Sequence, residues 1–242
     1  MTERLSSELE QRFRDVEENY KRICSELEKA ALDSGRSPQE VTLLAATKTV
    51  PVEVINHGIE LGIRHIGENR VQELCEKYDG YAPVDVQFIG HLQTNKVRQL
   101  IGRVSMIQSV DSVRLAQEIS RQAEKAGTQM DILLEVNIGR EENKSGVLPE
   151  ALPELLEQAA ALPCVHVRGL MAIPPAEASR EETIRFFSRM TQYFIDIKQK
   201  RIDNVTMDYL SMGMSADFAD AVRAGANLVR VGSALFGPRN YH

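Results

Sequence analysis

Residues 41–67 read VTLLAATKTVPVEVINHGIELGIRHIG, and this window decides the fold. Positions 41–47 form an apolar run of strand length, 52–61 carry helical spacing after Pro51, and 64–67 open a second strand. The period of hydrophobicity therefore switches from two to 3.6 and back. Outward from this window the pattern recurs. Further strand-sized runs fall at 86–89, 104–109, 130–137, 166–171, 206–210 and 228–231. Helical stretches separate them at 70–78, 94–101, 112–126, 149–162, 180–199 and 216–224. Alternating strands and helices imply right-handed parallel crossovers. Eight strands in about 200 residues suffice to close a (β/α)8 TIM barrel. An open, doubly wound sheet is the rival, but the first strand leads into Thr47-Lys48-Thr49-Val50-Pro51 and not into a glycine fingerprint.

Before this repeat, Leu5, Leu9, Phe13, Val16, Tyr20, Ile23 and Leu27 recur at threes and fours with charges between them. The spacing predicts an amphipathic helix over about 3–31. The stripe stops near Asp33-Ser-Gly, too early for a long coiled coil, so a helix packed on the barrel is expected. No Pro/Gly/Ser linker divides the chain, and one domain over 1–242 is expected.

Composition narrows the function. The 242 residues are 43% hydrophobic and 26% charged, ordinary for a globular protein with a sizeable core. Lys plus Arg number 29 against 35 Asp plus Glu, a net charge of −6 that disfavours nucleic acid as a partner. No apolar stretch reaches membrane-spanning length, and the first residues lack the pattern of a secretory signal. Cys24, Cys75 and Cys164 are odd in number and lack metal-ligand spacing. They read as reduced thiols of a cytoplasmic protein.

In a barrel of this kind, chemistry collects where the strands end. Lys48 directly follows the first strand. A partly desolvated lysine has a lowered pKa and serves as a nucleophile toward carbonyl groups; a rim lysine reaching into water is the plainer alternative. After the last two strands come Ser211-Met-Gly-Met-Ser215 and Gly232-Ser233. Ser215 is placed to cap a helix, with Asp217 in its first turn. Hydroxyls and small residues in loops seven and eight suit a phosphate, although capping chemistry alone explains either turn. Arg230 alternates with Val229 and Val231 and so faces the other way, either as an ion-pair partner or as a donor to a ligand's ring nitrogen. His91 is a weaker candidate, and Glu141, Glu142 and Lys144 read as a solvated lid.

Six motifs in order resemble one family along nearly the whole chain. They are Ala45-Ala-Thr-Lys48-Thr, Ile66-Gly-Glu-Asn69, Phe88-Ile-Gly-His-Leu-Gln-Thr-Asn-Lys96, Gly169-Leu-Met171, Ser211-Met-Gly-Met-Ser215-Ala-Asp and Val229-Arg-Val-Gly-Ser-Ala-Leu-Phe-Gly237. Together they resemble the pyridoxal phosphate homeostasis proteins. The resemblance implies a fold-type III barrel like the amino-terminal domain of alanine racemase. It implies pyridoxal 5'-phosphate as cofactor, carried by Lys48 as an internal aldimine, with Arg230 facing the pyridine nitrogen and Asn69 near the ring. Ser211, Ser215, Gly232 and Ser233 would hold the phosphate. Two positions depart from the family's usual residues: Ser233 stands where Thr is common, and Ala226-Asn227 replaces a Ser-Thr pair.

Three functions fit such a chain. A non-catalytic carrier would regulate or deliver pyridoxal phosphate, with apo-enzymes that use it as partners and either a monomer or a dimer as the working form. A pyridoxal-phosphate-dependent amino-acid racemase would need a second acid/base on the opposite ligand face. A cofactor-free lysine aldolase would leave Arg230 without a role. The expectation is the carrier, with no group in a catalytic role and no metal.

Overall fold

The computed structural model describes residues 2–238. Eight parallel strands close in chain order: β1 (Thr42–Ala46), β2 (His65–Glu68), β3 (Asp85–Phe88), β4 (Met106–Val110), β5 (Met130–Val136), β6 (Val165–Ala172), β7 (Val205–Ser211) and β8 (Leu228–Val231). The ring shuts where β1 meets β8, from Thr42 opposite Leu228 to Ala45 opposite Val231. The helices are α1 (Thr2–Asp33), α2 (Val52–Leu61), α3 (Val71–Lys77), α4 (Val113–Lys125), α5 (Leu152–Ala160), α6 (Arg180–Lys200), α7 (Phe218–Ala224) and α8 (Ser233–Phe236). The expected (β/α)8 barrel is thus the fold.

Side-chain alternation sorts each strand into two faces. Ala45, Ile66, Phe88, Ile107, Leu134, Leu170 and Val229 point outward and pack under the helices. Leu44, Ile89, Met106, Leu133, Met171 and Leu228 form a separate cluster that plugs the lumen. The plug is tight at β2, where a Cβ on Gly67 would sit 2.4 Å from the Leu44 Cδ2 and 2.9 Å from the Ile89 Cδ1. The core is therefore two cores, one inside the wall and one outside it.

The leading helix behaves as its stripe predicts. Val16, Ile23, Leu27, Ala30 and Ala31 are buried, with Leu9, Phe13 and Tyr20 packed at the edges. Each large apolar side chain so buried contributes about 1.5–3 kcal/mol over leaving it in water. Polar ties fix the helix to the last barrel turns: the Asn19 amide donates to the Leu235 carbonyl at 3.1 Å, and Arg22 donates to the Ala234 carbonyl at 3.2 Å.

Three expected helices differ. The stretch between β3 and β4 is a 3₁₀ segment, Thr94–Gln99, because Val97 and Leu100 are buried three residues apart and Gly102 (φ +81°) ends the turn. Residues three apart stack in a 3₁₀ helix. The stretch before β6 splits into a 3₁₀ turn, Pro149–Ala151, and α5, with a proline in the first turn of each. Ser215 does not cap α7, which starts at Phe218. Asp217 sits at the N-cap and its carboxylate turns back to accept from the Met214 amide at 2.6 Å.

Candidate functional site

Register brings the expected residues together. Leu44 lies opposite Arg230 and Ala46 opposite Gly67, so the ends of β8, β1 and β2 are neighbours at the carboxyl mouth. Lys48 continues the inward parity of Leu44 and Ala46, and Asn69 that of Gly67. Both are half-buried. Gly90 at the end of β3 lets that strand approach, since a Cβ there would lie 2.1 Å from the Asn69 carbonyl oxygen. A cleft of about 240 Å³ opens at the mouth, lined by Ala46, Lys48, Thr49, Gly232 and Ser233, with Arg12 and Asp15 of α1 at its edge.

The cradle in this cleft is made of amides and hydroxyls. The backbone N–H groups of Gly232 and Ala234 both donate to the Ser215 Oγ, at 3.2 and 3.1 Å. Both amides are taken up by the Ser215 oxygen, which fixes the hydroxyl; its O–H and the exposed Ser233 hydroxyl, which stands between the two amides in sequence, are left to donate to an anionic oxygen. The donor set fits a phosphate.

Arg230 is buried in the lumen, 4% exposed. It donates to the Ser211 hydroxyl and to the Ala172 carbonyl at 3.0 Å. Burial brings its guanidinium down to about 10, against the opposing pull of Glu135 and Asp217, so it remains a cation near neutral pH.

Ser211 lies elsewhere than expected. It is fully buried, and its hydroxyl accepts from Arg230 while donating to the Gln108 Oε1 at 2.6 Å. A polar chain continues through Gln108 to Gln87 (2.6 Å), on to Asp85 (2.6 Å) and to His65 (2.9 Å) at the amino-terminal end. With both hydroxyl functions engaged, Ser211 orients Arg230 and is turned away from the cradle.

The far side of the mouth holds a group the sequence reading missed. Glu135 on β5 is 7% exposed, and its carboxyl accepts no hydrogen bond from any described residue. Burial, then the nearby Asp111, pushes it up to about 7, with Arg230 pulling the other way. The signal was its place in Leu133-Leu134-Glu135, an acid at an inward position of an apolar strand. His91 stands at the rim, 62% exposed, with Nδ1 3.0 Å from the Ser145 Oγ and 3.8 Å from an Asp111 oxygen. Loop 138–147 folds back over this side. Asn137 donates to the Glu141 carbonyl at 2.8 Å, and the Val147 amide donates to the Glu135 carbonyl at 2.8 Å.

Among the described residues no group of three His, Cys, Asp or Glu could hold a metal ion, and no helix is long and apolar enough to cross a membrane. Cys24, Cys75 and Cys164 are free and half-buried.

A barrel that gathers an amine, a buried guanidinium and hydroxyl-bearing turns at one mouth defines a class, and sequence comparison agrees with it. The profile of the alanine racemase N-terminal domain matches residues 35–240. The pyridoxal phosphate homeostasis protein of Aquifex aeolicus is 43% identical over 226 residues, covering 93% of this chain and 98% of that one. PipY of Synechococcus elongatus PCC7942, solved with PLP bound, is 34% identical with a TM-score of 0.75, covering 88% of this chain and all of that one. An alanine racemase of Clostridium difficile 630 shares the fold at a TM-score of 0.75 and 17% identity, this chain spanning 58% of its length. The chain belongs to the alanine racemase N-terminal domain family and, within it, to the pyridoxal phosphate homeostasis proteins.

Proposed function

We propose that this protein binds pyridoxal 5'-phosphate at the barrel mouth and serves its intracellular homeostasis or delivery without turning over a substrate. The observation that carries this reading is the meeting of Lys48, Gly232 and Ser233 in one cleft beside the buried Arg230. The relative solved with PLP bound supports it.

When bound, pyridoxal phosphate supplies an aldehyde that condenses with an amine and a ring that withdraws electrons. Lys48 offers the amine. Ser215, held by the Gly232 and Ala234 amides, and Ser233 would donate to the phosphate at the Gly232 turn, and charge-assisted bonds of this kind are stronger than neutral ones. Asn69 would border the ring, and Arg230 would face the pyridine nitrogen as a hydrogen-bond donor. As a cation near neutral pH it keeps its proton and would donate to that nitrogen without protonating it. A guanidinium at that position lowers the capacity for carbanion chemistry without abolishing it. Apo-enzymes that use the cofactor are the proposed recipients. A cytoplasmic setting accords with the three free cysteines.

Borohydride reduction followed by peptide mapping tests the reading. The expected result is a pyridoxyl group on Lys48; the group on another lysine, such as Lys144, would overturn it. A second reading, a racemase-like enzyme, draws on Glu135, whose carboxyl at about 7 is suited to proton transfer. Turnover of an amino acid that is lost on Glu135→Gln while the Lys48 adduct persists would establish it in place of the carrier.

A further inference from the structure

We propose that Glu68, Glu73 and Lys77, none of which faces the lumen, are positioning residues that hold the Lys48 amine at the mouth. They do so by gripping the peptides on both sides of it from behind the barrel wall. This rests on the reading of Lys48 as the cofactor-binding amine.

Alternation explains the placement. If Lys48 points inward, its neighbour Thr47 must point out between the wall and the helices, where it is fully buried. Glu68, the outward neighbour of Gly67, meets it there. The Thr47 Oγ1 donates to the Glu68 Oε1 at 2.7 Å. The same carboxylate oxygen also accepts from Lys77 of α3 at 3.2 Å and from the Tyr81 hydroxyl at 2.8 Å. Three donors from three segments thus fix one oxygen, while the Glu68 Oε2 is buried with no partner. Burial beside this acid pushes the Tyr81 phenol far above its ordinary range and keeps it a donor.

Lys77 bridges the two sides. Its ammonium donates to the Thr47 carbonyl at 3.1 Å, the peptide that joins Thr47 to Lys48, and to the Glu73 Oε1. The Glu73 Oε1 in turn accepts from the Thr49 amide, the peptide that follows Lys48. The peptide before the amine is therefore held by the part-buried Lys77 and the peptide after it by Glu73, and the two are joined by their own ion pair. Thr49 also has φ +63°, a left-handed conformation that a β-branched residue adopts only where its surroundings enforce it. The Val50 amide closes the turn on the Thr47 carbonyl at 3.0 Å. An enforced backbone at the one residue after the reactive lysine is what a positioning device requires. A mere tie between α3 and the barrel would leave Thr49 free to relax.

The variants Glu73→Ala, Glu73→Gln and Lys77→Met test this in the full-length protein. The first readout needs no cofactor: hydrogen exchange at the Thr49 amide, and acylation of Lys48 relative to Lys144 by an amine-specific reagent. The second is the fraction of Lys48 trapped by borohydride at sub-saturating pyridoxal phosphate. Glu73→Ala should raise Thr49 exchange and lower trapping, each by about tenfold. Glu73→Gln, whose amide oxygen can accept the same bond, should restore both to within about twofold. Lys77→Met should lower trapping at least as far. If it fails to fold, Glu73→Ala, changed at the outer edge of the cluster, decides alone. Wild-type trapping and acylation in a folded Glu73→Ala protein would overturn the proposal. Absence of any Lys48 adduct in the wild type would instead overturn the cofactor reading, with Thr49 exchange still deciding the clamp.

Discussion

The two halves of the barrel mouth are built on opposite plans. Around β7, β8, β1 and β2, nearly every polar atom has a partner: Ser215 receives two amides, Arg230 donates to Ser211 and Ala172, and Glu68 ties Thr47 to α3. Across the lumen, around β3, β4 and β5, the Glu135 carboxyl accepts no hydrogen bond from any described residue, and the exposed His91 meets only Ser145 and Asp111 at the rim. In the first half the polar groups are held by others that are themselves held, the Glu68 Oε2 apart. The second is loosely tied and faces a loop. The contrast teaches that, on the proposed function, the tied half is the side suited to hold a ligand and the other the side suited to exchange.

The largest effect should come from removing the amine. Lys48→Ala is expected to abolish the borohydride-trapped adduct and any visible absorbance, with unfolding unchanged; a pyridoxyl group found on another lysine would break the contrast at its root. Next is Arg230→Met, which leaves Ser211 and the Ala172 carbonyl without their donor and Glu135 without its opposing cation. Loss of these charge-assisted bonds at such depth should cost about 1.5–3 kcal/mol, read by denaturant unfolding.

Glu135 sharpens the comparison through pH. Its folded carboxyl, near 7, is raised above the ordinary 4.5, so between those values the folded state binds more protons than the unfolded. Stability from this residue is fullest below about 4.5 and declines as pH rises toward 7, by roughly 3 kcal/mol at most. Glu135→Gln should flatten that decline; an unchanged slope would show that this side of the mouth is better solvated than its geometry implies.

Smaller effects follow. Ser215→Ala should weaken pyridoxal phosphate by about tenfold and unphosphorylated pyridoxal by less than about twofold, in competition trapping at Lys48. Equal weakening would move the phosphate out of the cradle. Smallest of all, Ser145→Ala removes an exposed contact to His91 and should change stability by under about 0.5 kcal/mol. A larger loss would mean that the loose half is tied after all.

The barrel, the leading helix and the Lys48, Arg230 and Gly232-Ser233 positions were legible in the sequence, because they follow from periodicity and from strand ends. Periods of two and 3.6 are local properties, and in a closed parallel barrel the strand ends share one face by construction. The direction of Arg230 was also readable, since alternation with two valines leaves it only the lumen. What the chain alone could not decide was which polar groups meet. Ser211 and Ser215 lie four residues apart in similar surroundings, yet one serves Arg230 and the other faces the amides of the next strand's turn. Glu68 and Thr47 are separated by 21 positions, and Ser211 and Gln108 by 103. Such pairings depend on strand register and on the shear of the closed sheet. Those are set by packing across the whole ring, so only the tertiary structure decides which hydroxyl finds which partner.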